Sequence, residues 1–277
     1  MTHSATTAAL NRLRAWLAWL EGAAPPADSS LPNAQRQFQP DHPLESIFCR
    51  IKPDSACHPS PPAPQYWPRA PLSLAAAVFF PTTAPPTTSA TSLLTALTQI
   101  NAALTGDPGR DLERMLYAFQ RYAWCLPSPA RAISLYDWAR VDAACAAAQS
   151  VDPGPPYLLI GDLSGVQEFI YTLTAKGATR QLRGRSFYLQ LLTDAIAHAL
   201  LSATGMPLTN LLYSGGGRFD LLLPHPAQHQ LDAFRTQIGS LLLRRHRGAL
   251  YVALVKQCQP LINGFAHRRV PIDHQGR

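Results

Sequence analysis

Lysine is nearly absent from this 277-residue chain, with 3 Lys against 21 Arg, and cysteine is scarce. The five cysteines (Cys49, Cys57, Cys125, Cys145 and Cys258) are odd in number, scattered, and form no C-x-x-C pair. That pattern excludes a disulfide framework and a zinc ribbon. No basic-then-apolar leader opens the sequence, and no charge-free apolar run reaches the roughly 18 residues of a membrane span. The expectation is a cytoplasmic protein that does not contact a membrane. There is no G-x-x-x-x-G-K-[ST] phosphate loop, no G-x-S-x-G elbow and no H-E-x-x-H pair, which sets aside three common catalytic architectures.

What is present is unevenly spread. The chain is 47% hydrophobic, enough for a sizeable core, so disorder throughout is excluded. Of 26 prolines, 21 lie at or before Pro156. Residues 1–156 hold 11 basic and 11 acidic side chains, whereas residues 157–277 hold 13 and 6 and so carry the whole net charge of +7. Arginine binds phosphate through a planar fork of donors, so this localised excess suggests a polyanionic partner; a merely basic soluble domain is the alternative.

Apolar spacing predicts helices over residues 8–22, 91–106, 110–125 and 135–149. Ten prolines in residues 53–86 predict an extended surface segment, with short edge strands at most near Ile47 and Leu74. From Tyr157 the pattern becomes a strand at residues 157–160, a helix from Val166 to about Arg183, and a second at 186–204 with Phe187, Leu191, Ile196 and Leu200 on its apolar side. Strands at 208–213 and 218–223 follow, then a helix at 226–247 and a strand at 249–255. Without one helix this is the split βαβ pattern. The expected fold class is therefore α+β, a ferredoxin-like palm with an antiparallel sheet covered by helices on one face, after a mostly helical, proline-rich region. The expected divisions are 1–40, a short helix and linker; 41–150, a connector and helical lead-in; 151–260, the palm; and 261–277, a tail.

Three motifs carry candidate chemistry. Gly161, Asp162, Leu163, Ser164 and Gly165 occupy a strand-to-helix junction, where free amides suit an anion or nucleotide, although an N-cap serine in a tight turn explains the same residues. Ser214 precedes Gly215, Gly216 and Gly217 between paired strands, and a hairpin alone accounts for one or two of these glycines. In a ferredoxin-like palm the hairpin lies beside the end of the first strand, so Asp162 and the glycines are expected at one cleft. The hairpin tip has no acid, and no complete two-metal site is visible. Lys176, Arg180, Arg183 and Arg185 are candidate RNA or phosphate contacts, or else a solvated helix end. Arg244, Arg245 and Arg247 read more simply as solvated cations at a helix C-terminus.

The run from Gly161 to Ile170, continuing through Lys176–Gly177 to residues 182–190, resembles the first palm of the large polymerase-like subunit of type III CRISPR effector complexes, particularly the III-A (Csm) branch. Tyr213, Ser214, Gly215, Gly216, Gly217, Arg218 and Phe219 resemble its glycine hairpin, and residues 42–48, 71–74 and 133–137 resemble the segment before that palm. The resemblance spans roughly residues 42–256. It implies RNA-guided antiviral defence, with target RNA activating DNA cleavage by an HD domain and conversion of ATP to cyclic oligoadenylate by paired palms. This sequence has no His-Asp dipeptide, only some 40 residues before His42, and no Gly-Gly-Asp-Asp hairpin. The expectation is thus a truncated or split subunit supplying the non-catalytic, ATP-binding palm.

On the resemblance, Ser164 is an adenine contact, while Gly161, Gly165, Gly215, Gly216 and Gly217 shape the cleft, with Asp162 beside them. No residue is assigned a catalytic or metal-binding role; Mg or Mn enters only with a second palm. The implied partners are other type III subunits, guide and target RNA, and a separate chain bearing the second palm. The alternative is a catalytically inert scaffold that docks CRISPR subunits and guide RNA. An independent cyclase of diguanylate type is disfavoured, because a homodimer cannot restore acids that neither copy has.

Overall fold

The computed structural model describes residues 2–26, 29, 31, 39, 41–50, 63–130, 132–171 and 178–257. Helix α1 (Thr2–Leu20) starts earlier than its apolar spacing suggests and buries Leu10, Leu13, Trp16, Leu17 and Leu20. Trp16 meets Trp19 and Trp138 edge-on, at centroid distances of 5.4 and 6.4 Å. The proline-rich segment forms neither expected strand. Ile47 opens a 3-10 turn (Ile47–Arg50), and Leu74 is 94% exposed just before the single-turn helix α2 (Ala76–Phe79). Isolated antiparallel bridges pair Tyr66 with Glu45 and with Thr82 instead. Prolines deny this stretch the consecutive donors a ladder requires.

Three helices complete the lead-in: α3 (Thr91–Ala102), α4 (Pro108–Tyr122) and α5 (Leu135–Gln149). Asp107 caps α4 by accepting from the amides of Gly109 and Arg110 at 2.9 and 3.3 Å, with Pro108 in the first turn, where its missing donor costs nothing. Ser134 caps α5 by accepting from the Asp137 amide at 3.0 Å. One buried node ties α5 to α1. The Asp142 carboxylate of α5 accepts from Arg12 at 3.1 Å, Trp16 at 2.8 Å and Ser29 at 2.9 Å.

The second half runs β1 (Tyr157–Ser164), α6 (Val166–Tyr171), α7 (Ala178–Thr204), β2 (Leu211–Gly215), β3 (Arg218–Leu223), α8 (Gln228–His246) and β4 (Tyr251–Gln257). The sheet order is β2-β3-β1-β4 with every pairing antiparallel, which is the ferredoxin-like arrangement expected. Alternation along β1 sends Tyr157, Leu159, Gly161 and Leu163 to the helix-covered face. There they meet Phe219 and Leu221 of β3, Leu189, Ile196 and Leu200 of α7, and Leu231 of α8 in a core that continues into the lead-in helices.

Helix α7 begins at Ala178, so Gly184 is interior to it. Its buried stripe is Leu189, Thr193, Ile196, Ala197 and Leu200, and the expected Phe187 and Leu191 face outward, 64% and 50% exposed. On the other side of the sheet, Ala144 and Cys145 of α5 pack against Leu222, and the buried Asn210 amide donates to the carbonyls of Ala144 and Leu222 at 3.1 and 2.8 Å. Helix α5 thus covers one end of this second face and leaves the other end open. Among the described residues no helix is long and apolar enough to cross a membrane.

Candidate nucleotide site on the palm

The uncovered end of the sheet is where the two glycine motifs meet. Residues opposite each other in an antiparallel pair share a face, so register places Asp162 beside Arg218, Ile160 beside Asp220, Ser164 beside Tyr251, and Gly215 beside Arg218. The hairpin turns through Gly216 and Gly217, whose φ values of 62° and 89° suit a two-residue turn that L side chains resist. The Gly217 carbonyl accepts from the Leu163 amide at 2.7 Å, which pins the hairpin tip against the end of β1. Asp162 and the hairpin therefore adjoin at one end of the open face. Ser164 lies on the same face, its hydroxyl donating to Asp162 Oδ2 at 3.2 Å.

The remaining glycines serve this geometry from behind. Gly161 faces the core, where a Cβ would lie 2.0 Å from the tip of the Phe219 ring. Gly165, at φ 84°, closes the β1–α6 turn so tightly that a Cβ would stand 2.0 Å from the Ala249 carbonyl oxygen. Gly215 makes room on the open face for the Tyr213 hydroxyl, 3.0 Å from where its Cβ would be. Helix α6 has only six residues, so the open amides and dipole expected at this junction are a minor feature.

Sequence reasoning passed over Arg218 as a member of the site. Its guanidinium donates to both Asp220 oxygens, from Nε at 2.9 Å and Nη2 at 3.0 Å. The bonds to Asp220 raise its pKa above the usual arginine value, with Tyr213 and Asp162 adding to the effect. A guanidinium bonded to both oxygens of Asp220 occupies the carboxylate that a metal ion would need. Asp162 and Asp220 accordingly do not fit a two-metal site, and among the described residues no three His, Cys, Asp or Glu side chains cluster as metal ligands. The signal was available in the period-2 alternation, which puts 218 and 220 on one face. Tyr213 and Tyr251, 50% and 57% exposed, flank this end of the sheet and offer aromatic surface.

Of the four proposed phosphate contacts, Lys176 lies outside the described residues. Arg180, Arg183 and Arg185 stand on the first turns of α7. Arg185 is engaged already, with its guanidinium over the Phe169 ring at 5.3 Å and a hydrogen bond to the Phe169 carbonyl.

Strand order, glycine hairpin and open end together define a polymerase-type palm. Residues 156–261 match the family model described as Csm1 subunit domain B. Over 94 residues the chain is 42% identical to the CRISPR system single-strand-specific deoxyribonuclease Cas10/Csm1 (subtype III-A) of Mycobacterium tuberculosis, a match covering 33% of this chain and 12% of that protein. The crystal structure of Csm1 from T. onnurineus superposes with a TM-score of 0.63 at 26% identity, covering 81% of this chain and 32% of that one. A Csm1-Csm4 cassette in complex with one ATP superposes at 0.64 with 24% identity, covering 81% and 31%. The chain is thus similar to Cas10/Csm1 of type III-A CRISPR systems, and it spans about a third of the Csm1 chains in these structures.

Proposed function

We propose that this chain contributes a nucleotide-binding, non-catalytic palm to cyclic oligoadenylate synthesis within a type III-A effector complex. The observation that carries the reading is the meeting of Ser164 and Asp162 with the glycine hairpin, fixed by the 2.7 Å bond from the Leu163 amide to the Gly217 carbonyl. ATP would lie on the open end of the sheet. Ser164 would contact the adenine, Asp162 and the backbone at Gly215, Gly216 and Gly217 would bound the cleft, and Gly161 and Gly165 would let the strand and turn close. Arg218 adds a cation for the phosphates, and the ATP-bound Csm1-Csm4 relative supports this class of ligand.

Asp220 is held by Arg218 and Asp162 accepts from Ser164, so the Mg or Mn ions of nucleotidyl transfer would be held by the acids of a second palm facing this one. Other Csm subunits are the proposed neighbours, since the solved relatives include Csm1-Csm4 assemblies. Arg180, Arg183, Arg185 and Lys176 are the proposed contacts for guide or target RNA. The test is synthesis of cyclic oligoadenylate from ATP and Mg by the purified chain, alone and mixed with a Gly-Gly-Asp-Asp palm. Product only in the mixture is expected; robust product from this chain alone contradicts the reading. If instead the mixture stays inactive while the chain assembles with Csm subunits and RNA, it is an inert scaffold.

A further inference from the structure

The arginine clusters at 180–185 and 244–247, read separately in the sequence, adjoin in the fold. Tyr188 of α7 and His246, the last residue of α8, share a hydrogen bond of 2.8 Å between the hydroxyl and Nε2. Phe169 of α6 packs against both rings at 5.9 Å. Arg185 covers the same Phe169 ring, so Arg185 and His246 border one aromatic cluster. Arg180 and Arg183 continue from it along α7, while Arg244, Arg245 and Arg247 surround the end of α8. No carboxylate occurs in residues 178–193 or 233–257, and Glu168 is the acid on the adjoining helix α6.

Arg247 supplies an independent observation. It is the only non-glycine among the described residues with a positive φ, 53°, at a C-cap where glycine or asparagine is usual. Gly248 follows at φ 89°, so the loop turns through two left-handed residues. A left-handed residue other than glycine costs backbone energy and persists where its surroundings hold it. The same loop reaches the nucleotide turn, because Ala249 is the residue against which Gly165 packs.

We infer that the shared end of α7 and α8 is a track for the phosphate backbone of single-stranded RNA, with Arg244, Arg245 and Arg247 as its second half. The inference rests on the reading of Arg180, Arg183 and Arg185 as RNA contacts and extends it to a surface the sequence assigned to solvent. Six guanidiniums spread over two helix ends outnumber the phosphates of one nucleotide. A strand passing over them would run toward the Ser164–Gly165 turn.

The test is fluorescence anisotropy of the full chain with a labelled, unstructured RNA of about 20 nucleotides across a salt series. The triple variant R244A/R245A/R247A is expected to weaken binding at least about tenfold and to lower the slope of log Kd against log salt by about 2, at roughly 0.7 per phosphate contact. Arg247→Gly should raise Tm by relieving the left-handed residue, and still weaken RNA binding by about threefold. A folded α8 triple variant with unchanged affinity overturns the inference; in that event weakened binding by R180A/R183A/R185A leaves the α7 reading standing, and unchanged binding removes both. A raised Tm with unchanged RNA affinity in Arg247→Gly also overturns it, as does loss of an acidic Csm subunit rather than RNA in the α8 variant.

Discussion

Arg218 holds Asp220 through two parallel hydrogen bonds and stands directly across the β1–β3 pair from Asp162. Where a metal-dependent palm gathers carboxylates around ions, this one supplies its own cation. Replacing Arg218 with Ala should weaken ATP binding by about tenfold, about 1.4 kcal/mol, because a charge-assisted contact to phosphate is lost. Isothermal titration checks this. Unchanged affinity would confine Arg218 to holding Asp220.

Gly161 illustrates a role distinct from ligand contact. A methyl group there would overlap the Phe219 ring, and both residues are buried in the palm core. Gly161→Ala should destabilise by about 3 kcal/mol in urea unfolding, the upper range for overpacking a tight core. Adding Phe219→Leu should recover part of that loss. No recovery would show that the cost arises from the backbone.

The legible parts were those governed by local rules. The α5 helix falls at Leu135–Gln149 as expected because Ser134 and Asp137 mark its start within four residues. The glycine pair at 216 and 217 announces a hairpin by itself. What depends on partners distant in sequence was not legible. The reason for Gly161 is a ring on another strand, α7 buries Leu189 rather than Phe187 because of where the sheet lies, and the arginine-bearing ends of α7 and α8 meet at the Tyr188–His246 bond. The edge strands expected near Ile47 and Leu74 fail because neither has a consecutive partner; Tyr66 forms single bridges instead.

Asp142 joins α1 to α5 through three donors while only 1% exposed. Asp142→Ala would leave Arg12 buried without its carboxylate and should cost about 3–5 kcal/mol, lowering Tm markedly. The apolar double variant Arg12→Met, Asp142→Leu should cost less, since it removes both charges together. Thermal melts of the two variants test the order.

Asp111 accepts from the Thr105 amide and hydroxyl and the Gly106 amide at 2.9, 3.0 and 2.8 Å. Burial by itself raises its pKa, but these donors outweigh it, and the carboxyl titrates below its ordinary value. A carboxyl with a lowered native pKa contributes stability above its unfolded pKa of about 3.9, and loses it as pH falls through the native value. The urea midpoint of the native chain should therefore fall below about pH 4 more steeply than that of Asp111→Asn. Parallel pH profiles would remove the carboxylate from this role.

The most direct measurement for the nucleotide site is an ATP titration of the native chain and Ser164→Ala, with RNA anisotropy run on the same samples. Saturable binding of one ATP per chain, weakened by Ser164→Ala while RNA affinity is unchanged, is the outcome expected. No saturable ATP binding, or equal affinity in the two proteins, would contradict a nucleotide site at the meeting of β1 and the glycine hairpin.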